Sequence, residues 1–323
     1  MKETILKLLF RHAGSYLSGQ EISDELGVSR TAVWKHIKAL QAAGYQIETG
    51  HRKGYRLLPQ EESLLPGEIK SVLKTRWLAH QLVHLESVDS TNIWAKKHHH
   101  ELQHGALVLA EEQTGGRGRL GRSWESSKGE GIWMTLVLEP GLPMHDAGKM
   151  TQLAAAAMHQ AIVGVTGLPV KIKWPNDLLV GDHKICGILT EASGELTRIE
   201  RLLVGIGVNV NQQAFSGEIA AVATSLRIMM EQPVSRVALL MLFLEIFEKC
   251  YDDYVLHQSY GAVLRVVREH SMLLNQPIDV IRGDQRVAAR AVSIHEDGRL
   301  EVVYEDGQSE LLAGGEVSVR RKL

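Results

Sequence analysis

Residues 113–124 read Gln-Thr-Gly-Gly-Arg-Gly-Arg-Leu-Gly-Arg-Ser-Trp, three arginines spaced by glycine with no acid among them. Glycine lacks a β-carbon, so backbone amides and guanidiniums in such a loop can close on a polyanion, which points to phosphate or carboxylate as the cargo. Gly116, Gly118 and Gly121 spell G-x-G-x-x-G, and residues 116–123 nearly spell the phosphate loop G-x-x-x-x-G-K-S with Arg122 in the lysine position. Both patterns need a helix directly afterwards, because its N-terminus completes the anion site. Here residues 125–131 are turn-like and 132–138 read as a strand, while 106–110 form a strand entering the loop. The segment therefore hangs between two strands, which argues against a doubly wound nucleotide fold. Its glycine content predicts a mobile loop that a ligand would order. The plain alternative is a solvated basic loop.

The chain has 323 residues, 44% hydrophobic and 23% charged, enough for two or three domains. Its net charge of -2 is unremarkable, yet residues 1–60 hold nine Lys/Arg against five Asp/Glu. Apolar spacing predicts helices over 4–12, 20–26 and from about 29, the third capped by Ser29 with Val33, Ile37 and Leu40 inward. Arg30, Thr31, Lys35, His36 and Lys38 then face out. A strand pair over 45–49 and 54–58 would carry His51, Arg52 and Lys53 at its tip, making a winged helix-turn-helix with a basic wing. A small protein-interaction domain is the alternative. Residues 59–66 read as a linker, and the domains expected are 1–62, 63–270 and 271–323. Short strands separated by Gly-Asp and Asp-Gly turns predict a small antiparallel barrel at the C-terminus. Two cysteines without metal or redox spacing, and no signal or membrane span, suggest a cytoplasmic protein.

In the middle of the chain, Ser90, Thr91 and Asn92 follow a strand and open a helix, where capping is the simplest role for Ser90 or Thr91. His98, His99, His100 and His104 lack a fixed ligand geometry and read as surface residues. Residues 170–174 alternate as a strand, a hairpin follows over 178–189, and Lys173, Asp177 and Lys184 should converge. Two cations and a carboxylate suit ATP with magnesium, although isolated surface ion pairs would look the same. On the strand 202–210, Gly205 and Gly207 strip one face at successive positions, which suits something flat lying there or a closely packed helix.

The arginine loop, residues 173–177 (Lys-Trp-Pro-Asn-Asp), 184–189 (Lys-Ile-Cys-Gly-Ile-Leu) and 205–209 (Gly-Ile-Gly-Val-Asn) together resemble the biotin-protein ligases. With the helix-turn-helix in front, the similarity extends over essentially the whole chain, to the bifunctional members that also repress the biotin operon. The resemblance implies a winged helix-turn-helix, a central α/β catalytic domain on a mixed sheet, and a C-terminal SH3-like barrel. It implies that biotin and ATP give biotinyl-5'-adenylate, and that biotin then passes to a lysine of the biotin carboxyl carrier protein of acetyl-CoA carboxylase. By the same resemblance Ser90, Thr91, Asn92, Gln113, Arg117, Gly118, Arg119, Lys184, Gly187, Gly205 and Gly207 would meet biotin. Arg117, Arg119, Arg122, Trp124, Lys173, Asn176, Asp177, Lys184 and Asn209 would meet ATP, with Asp177 near Mg2+. Lys184, Arg119 and Lys173 are the candidate catalytic groups. Many members have an arginine where this chain has Leu120. Ser29, Arg30, Thr31, Lys35, His36, Arg52 and Lys53 would face operator DNA, bound by a homodimer that the adenylate, as corepressor, stabilises. Two other classes compete: a non-catalytic regulator that senses a small acid, and a lipoate ligase.

Overall fold

The computed structural model describes residues 1–12, 14–42, 44–50, 52–58, 64–195, 197–314 and 318–321. It divides into two units, Met1–Leu73 and Lys74–Leu323.

The first unit is built from helices α1 (Lys2–Arg11), α2 (Gly19–Leu26) and α3 (Arg30–Ala42), the strands β1 (Ile47–Gly50) and β2 (Gly54–Leu57), and helix α4 (Pro66–Val72). Ser18 and Glu21 form a reciprocal capping box that starts α2, and Gly27 ends it in the left-handed conformation. The Ser29 hydroxyl accepts from the Ala32 amide, 3.2 Å, at the start of α3. Ile5, Leu8, Leu9, Ile22, Val33, Ile37 and Leu40 are at most 1% exposed, so all three helices bury the stripe their periodicity marks out. β1 and β2 pair antiparallel from Ile47↔Leu57 to Gly50↔Gly54, and Tyr55 also pairs with Leu17. The expected wing thus exists, except that its tip residue His51, like the linker segment 59–63, lies outside the described residues. α4 belongs to this unit: the Gly67 amide donates to the Tyr45 hydroxyl, 2.8 Å.

In the second unit, a seven-stranded mixed sheet runs β3 (Leu82–Leu85), β4 (Ala106–Ala110), β5 (Gly131–Leu138), β9 (Arg198–Asn209), β8 (His183–Glu195), β7 (Asp177–Val180), β6 (Val170–Lys173). Only β3 and β4 are parallel; the remaining neighbours are antiparallel. Helix α5 (Thr91–Lys97) covers one end of one face, where Ala95, Leu102, Val108, Val137 and Leu203 share a buried cluster. The long helix α6 (Ala147–Thr166) lies on the opposite face, with Thr151 on Thr190, 2.9 Å, and packs in turn on α8 (Arg236–Val255). A short α7 (Leu226–Met230) precedes α8, and α9 (Gly261–Glu269) follows it. What α5 leaves uncovered on its face is the floor of the site.

The barrel is a five-stranded antiparallel sheet in the order β13 (Ser309–Leu312), β12 (Leu300–Tyr304), β11 (Gln285–Ile294), β10 (Pro277–Arg282), β14 (Ser318–Arg321). Its turns fall at the expected Gly283-Asp284, Asp297-Gly298 and Asp306-Gly307; Gly315 of the fourth lies outside the described residues. The barrel docks through named bonds: the Gly298 carbonyl accepts from Trp174 Nε1, 3.0 Å, and Gln152 Nε2, 2.5 Å, and the Ile294 carbonyl from Arg268.

Candidate functional site

β9, β8 and β7 present an almost bare patch of sheet. In register, Gly205 faces Leu189, Gly207 faces Gly187, and Gly187 faces Asp177, so three glycines lie beside one another. The structure shows what occupies that space. A β-carbon on Gly205 would fall 2.3 Å from Asn92 Oδ1, and one on Gly207 would fall 2.4 Å from Trp124 Nε1. A β-carbon on Gly187 would stand 3.0 Å from the same indole. The flat object lying on Gly187 and Gly207 is therefore the protein's own Trp124, which brings the end of the arginine loop down to the sheet.

The loop folds on itself before reaching that point. Arg117 and Ser123 bridge, the Gly118 amide donates to the Arg122 carbonyl, 2.7 Å, and the Trp124 amide to the Gly116 carbonyl, 2.9 Å. At its turn, Arg119–Gly121, Leu120 sits in the left-handed region at φ 56° with its side chain exposed. Arg119 reaches inward, donating to Asn176 Oδ1, 3.0 Å, and to the Gly314 carbonyl of the barrel. Burial draws its guanidinium pKa down, Asp177 opposes that, and Arg122 adds to it. Asn176 is fixed by its own N–H to the Ile188 carbonyl, 2.9 Å.

Lys173 stands opposite Asp177 across the β6–β7 pair, and Lys184 Nζ lies 2.7 Å from Asp177 Oδ1 and 5.0 Å from the Trp124 ring. The convergence of Lys173, Asp177 and Lys184 is thus present. Lys184 is also pinned through its backbone, its amide to the Val222 carbonyl, 2.8 Å, and its carbonyl from the Thr224 amide, 3.0 Å. Asn209 spends its carboxamide N–H on the Thr224 carbonyl, 3.1 Å, tying the same segment down.

At the other end, Ser90 occupies the N-cap position of α5 without making a capping bond, so the capping role expected for it is not the one it plays. Instead Gln113 Oε1 accepts from the Thr91 amide, 2.9 Å, and Gln113 Nε2 donates to the Ser126 hydroxyl, 2.9 Å. Asn92 donates to Glu191 Oε2, 2.8 Å, and accepts from the Thr135 hydroxyl, 2.6 Å. Ser90, Thr91 and Asn92 are each under 5% exposed, which makes this a dry polar end to the site. Thr135 and Glu191 escaped the sequence analysis. Thr135 was signalled, as the sole polar residue in the apolar run 132–138; Glu191 was not, since nothing but the sheet register aims it at Asn92.

All seventeen residues assigned to biotin or ATP line one cavity of about 610 Å³. Phe215, Ile219 and Val222 from the segment after β9, and Met272 and Val319 near or in the barrel, complete its wall. The cavity has a hydrogen-bonding end at Thr91 and Asn92, a cationic end at Arg119, Lys173 and Lys184, and an indole between. A polar small molecule with an anionic group, joined to a phosphate, fits this gradation.

The roots of the loop are held from beneath. Arg236, 4% exposed, donates to Glu111 Oε2, 2.9 Å, and to the Gly131 carbonyl, 3.2 Å, while Glu111 Oε1 lies 3.3 Å from His84 Nε2. Burial pushes the Glu111 carboxyl up, but His84 and Arg236 outweigh it and hold it down at about 2. The four histidines near residue 100 gather no metal site: His98 stacks on Trp94, and His104 on Trp77 with its Nδ1 accepting from the Glu139 amide.

On α3 of the first unit, Arg30, Thr31, Lys35 and Lys38 are exposed beside the half-buried His36. Ser29 is exposed but serves as cap. Arg52 and Lys53 are exposed on the wing, Lys53 Nζ standing 5.7 Å over the Tyr16 ring. Trp34 is also exposed on α3 and was not among the residues expected to face DNA.

Comparison with known proteins agrees with this architecture. Residues 84–211 match the biotin/lipoate A/B protein ligase family, 2–56 an HTH domain, and 273–320 the biotin protein ligase C-terminal domain. The bifunctional ligase/repressor BirA of Bacillus spizizenii is 44% identical over 257 residues, 77% of this chain and 78% of that protein. The chain belongs to the bifunctional ligase/repressor family. Another member, the BirA of Escherichia coli, is 28% identical over 95% of this chain and 94% of its own length. Among solved structures, the biotin protein ligase of Aquifex aeolicus in complex with biotin and ATP superposes with a TM-score of 0.67 at 27% identity. It covers 75% of this chain and 100% of that one.

Proposed function

We propose that the protein activates biotin with ATP and transfers it to a lysine of the biotin carboxyl carrier protein of acetyl-CoA carboxylase, and that its N-terminal unit represses biotin genes. The observation that carries the enzymatic half is the meeting of Arg119, Lys173 and Lys184 over the glycine floor, beside the dry polar end formed by Thr91, Asn92 and Gln113. The biotin ring system takes that end, and its carboxylate reaches toward Lys184. ATP lies with its phosphates among Lys173, Arg117, Arg119 and Arg122, bounded by Trp124 and Asn176.

In the first step a biotin carboxylate oxygen attacks the α-phosphorus of ATP, and the bond from that phosphorus to the bridging oxygen breaks to release pyrophosphate. Two anions must meet, so the protein's task is to offset charge and fix orientation. Lys184 supplies the cation at the carboxylate while Asp177 keeps its ammonium in place. In the second step the acceptor lysine amine attacks the acyl carbon, loses a proton, and AMP leaves. Arg119, held by Asn176 and Gly314, and the folded loop keep water from the mixed anhydride until then. Asp177 together with substrate phosphates is a donor set that magnesium accepts, and the ion would offset phosphate charge.

The adenylate is the corepressor in this proposal, and the operator-binding form is a homodimer. The protein acts in the cytoplasm; no helix among the described residues is long and apolar enough to cross a membrane. Incubation with α-labelled ATP plus biotin, plus lipoate, or with neither tests the enzymatic half. A labelled adenylate is expected with biotin; label with lipoate alone reassigns the acid, and label with neither overturns the proposal.

A further inference from the structure

Helix α3 contains Arg30, Lys35, His36 and Lys38 and no acidic residue over its thirteen positions. At 3.6 residues per turn, Val33, Ile37 and Leu40 fall on its buried side, and Arg30, Trp34 and Lys38 form one i, i+4, i+8 ridge beside Thr31 and Lys35. Trp34 is 53% exposed and is absent from the hydrophobic residues that pack against the unit's core. From this helix the core takes Val33, Ile37 and Leu40 instead. A large indole left more than half exposed, with Arg30 and Lys38 at the flanking positions of its ridge and one turn in from the start of a recognition helix, suits a surface that is apolar and anionic at once. The edge of a duplex groove has both qualities: thymine methyls and sugars for the ring, phosphates for its flanking cations.

Resting on the repressor function proposed above, we infer that Trp34 is a sequence-reading residue, packing its indole on a thymine methyl group in the major groove of the operator while Arg30 and Lys38 hold the phosphates on either side. Arg30, Lys35, Lys38, Arg52 and Lys53 then supply affinity that is indifferent to sequence and falls with salt. Trp34 supplies discrimination. The positive face matches the charge of DNA and not that of an apolar protein partner.

The test selects binding sites from a random duplex library with the full-length protein charged with biotin and ATP, using wild type, W34A, W34F and K38A. Because Trp34 is exposed, W34A keeps its melting temperature and its biotin adenylation. Wild type is expected to enrich a two-fold motif containing an A·T pair in each half-site that W34A no longer selects, with the ratio of specific to non-specific affinity reduced about tenfold. Binding of W34A to unselected duplex, and its salt slope, should stay as in wild type. K38A should lose affinity equally for all duplexes and show a shallower slope. W34F should keep part of the preference. Enrichment of the same motif at the same ratio by W34A overturns the inference, as does a uniform loss like that of K38A. Failure of wild type itself to enrich any motif would overturn the repressor function instead, with Trp34 falling along with it.

Discussion

Single residues here do work that depends on what their neighbours have already given up. Lys184 is an example: its backbone is bound on both sides by the segment 222–224, and its ammonium is drawn to Asp177, so the cation is presented in one place. Lys184→Ala should lower the rate of biotin adenylation about a hundredfold, since a charge-assisted bond made in a closed site is worth a few kcal/mol. Operator binding measured with preformed adenylate at saturation should be unaffected. Near-normal single-turnover adenylation would remove Lys184 from the carboxylate. His159 shows the opposite case of a group held uncharged. Burial, aided by the stacked His270 and Lys171 and resisted by the bond to the Val170 carbonyl, pulls its pKa down to about 4. With a folded pKa below the unfolded value near 6.5, the native state binds fewer protons in between, so stability is full above that value and declines as pH falls toward 4. Thermal melts from pH 7 to pH 4 should show that decline, and His159→Gln should flatten it. An equal slope in both proteins would assign the pH dependence elsewhere.

At the scale of elements, strands carry the site and a loop completes it. β9 and β8 together supply a floor by omission, and the loop supplies Trp124 to lie on Gly187 and Gly207, two of the floor's three glycines. Gly207→Ala places a methyl 2.4 Å from Trp124 Nε1, so the indole has to lift and take the end of the loop with it. Overpacking of this kind costs about 1–3 kcal/mol, and if the loop covers ATP as proposed, the cost should appear as a KM for ATP raised roughly tenfold. The melting temperature should move little because the sheet itself is untouched. Gly261→Ala, where a β-carbon meets open space, is the matched control. An unchanged KM in Gly207→Ala would mean that Trp124 does not need its seat on the sheet. The strands, the loop between them and the stripped face were legible because alternation and glycine spacing are local properties. The identity of the flat object was not, since Trp124 reaches Gly207 across more than eighty residues of chain. The bond from Arg119 to Gly314 and the clamp of Arg236 on Glu111 and Gly131 were hidden for the same reason: each joins elements with no shared periodicity. Ser90 misled because its position predicts a cap, and only the structure shows that Gln113 has taken the Thr91 amide.

For the molecule as a whole, the three-part order was readable from the basic N-terminal stretch, the motif-bearing middle and the Gly-Asp turns of the barrel, while the end of the first unit was not. The linker composition suggested 62, but α4 continues the N-terminal unit to Leu73, where Gly67 meets Tyr45. How ligand state would reach DNA under the proposed corepressor role belongs to this larger scale. Residues 1–60 hold four more Lys/Arg than Asp/Glu, nine against five, and one recognition helix reads few base pairs, so a monomer should bind DNA weakly and with strong salt dependence. Two joined protomers, as proposed, would place two α3 helices on a palindrome and gain from both half-sites. In the proposal the arginine loop is the switch: Arg119 holds it to Asn176 and Gly314, and a bound anion would reinforce that closed form. If adenylate favours the dimer, linkage requires that the dimer hold adenylate more tightly by the same factor. Sedimentation and titration with an operator fragment should therefore show tighter self-association and tighter DNA binding with biotin plus ATP than without. Adding unmodified carrier domain, which consumes the adenylate, should reverse both. If adenylate forms while association and operator affinity stay constant, the loop is a catalytic cover alone and the DNA-binding unit answers to another signal.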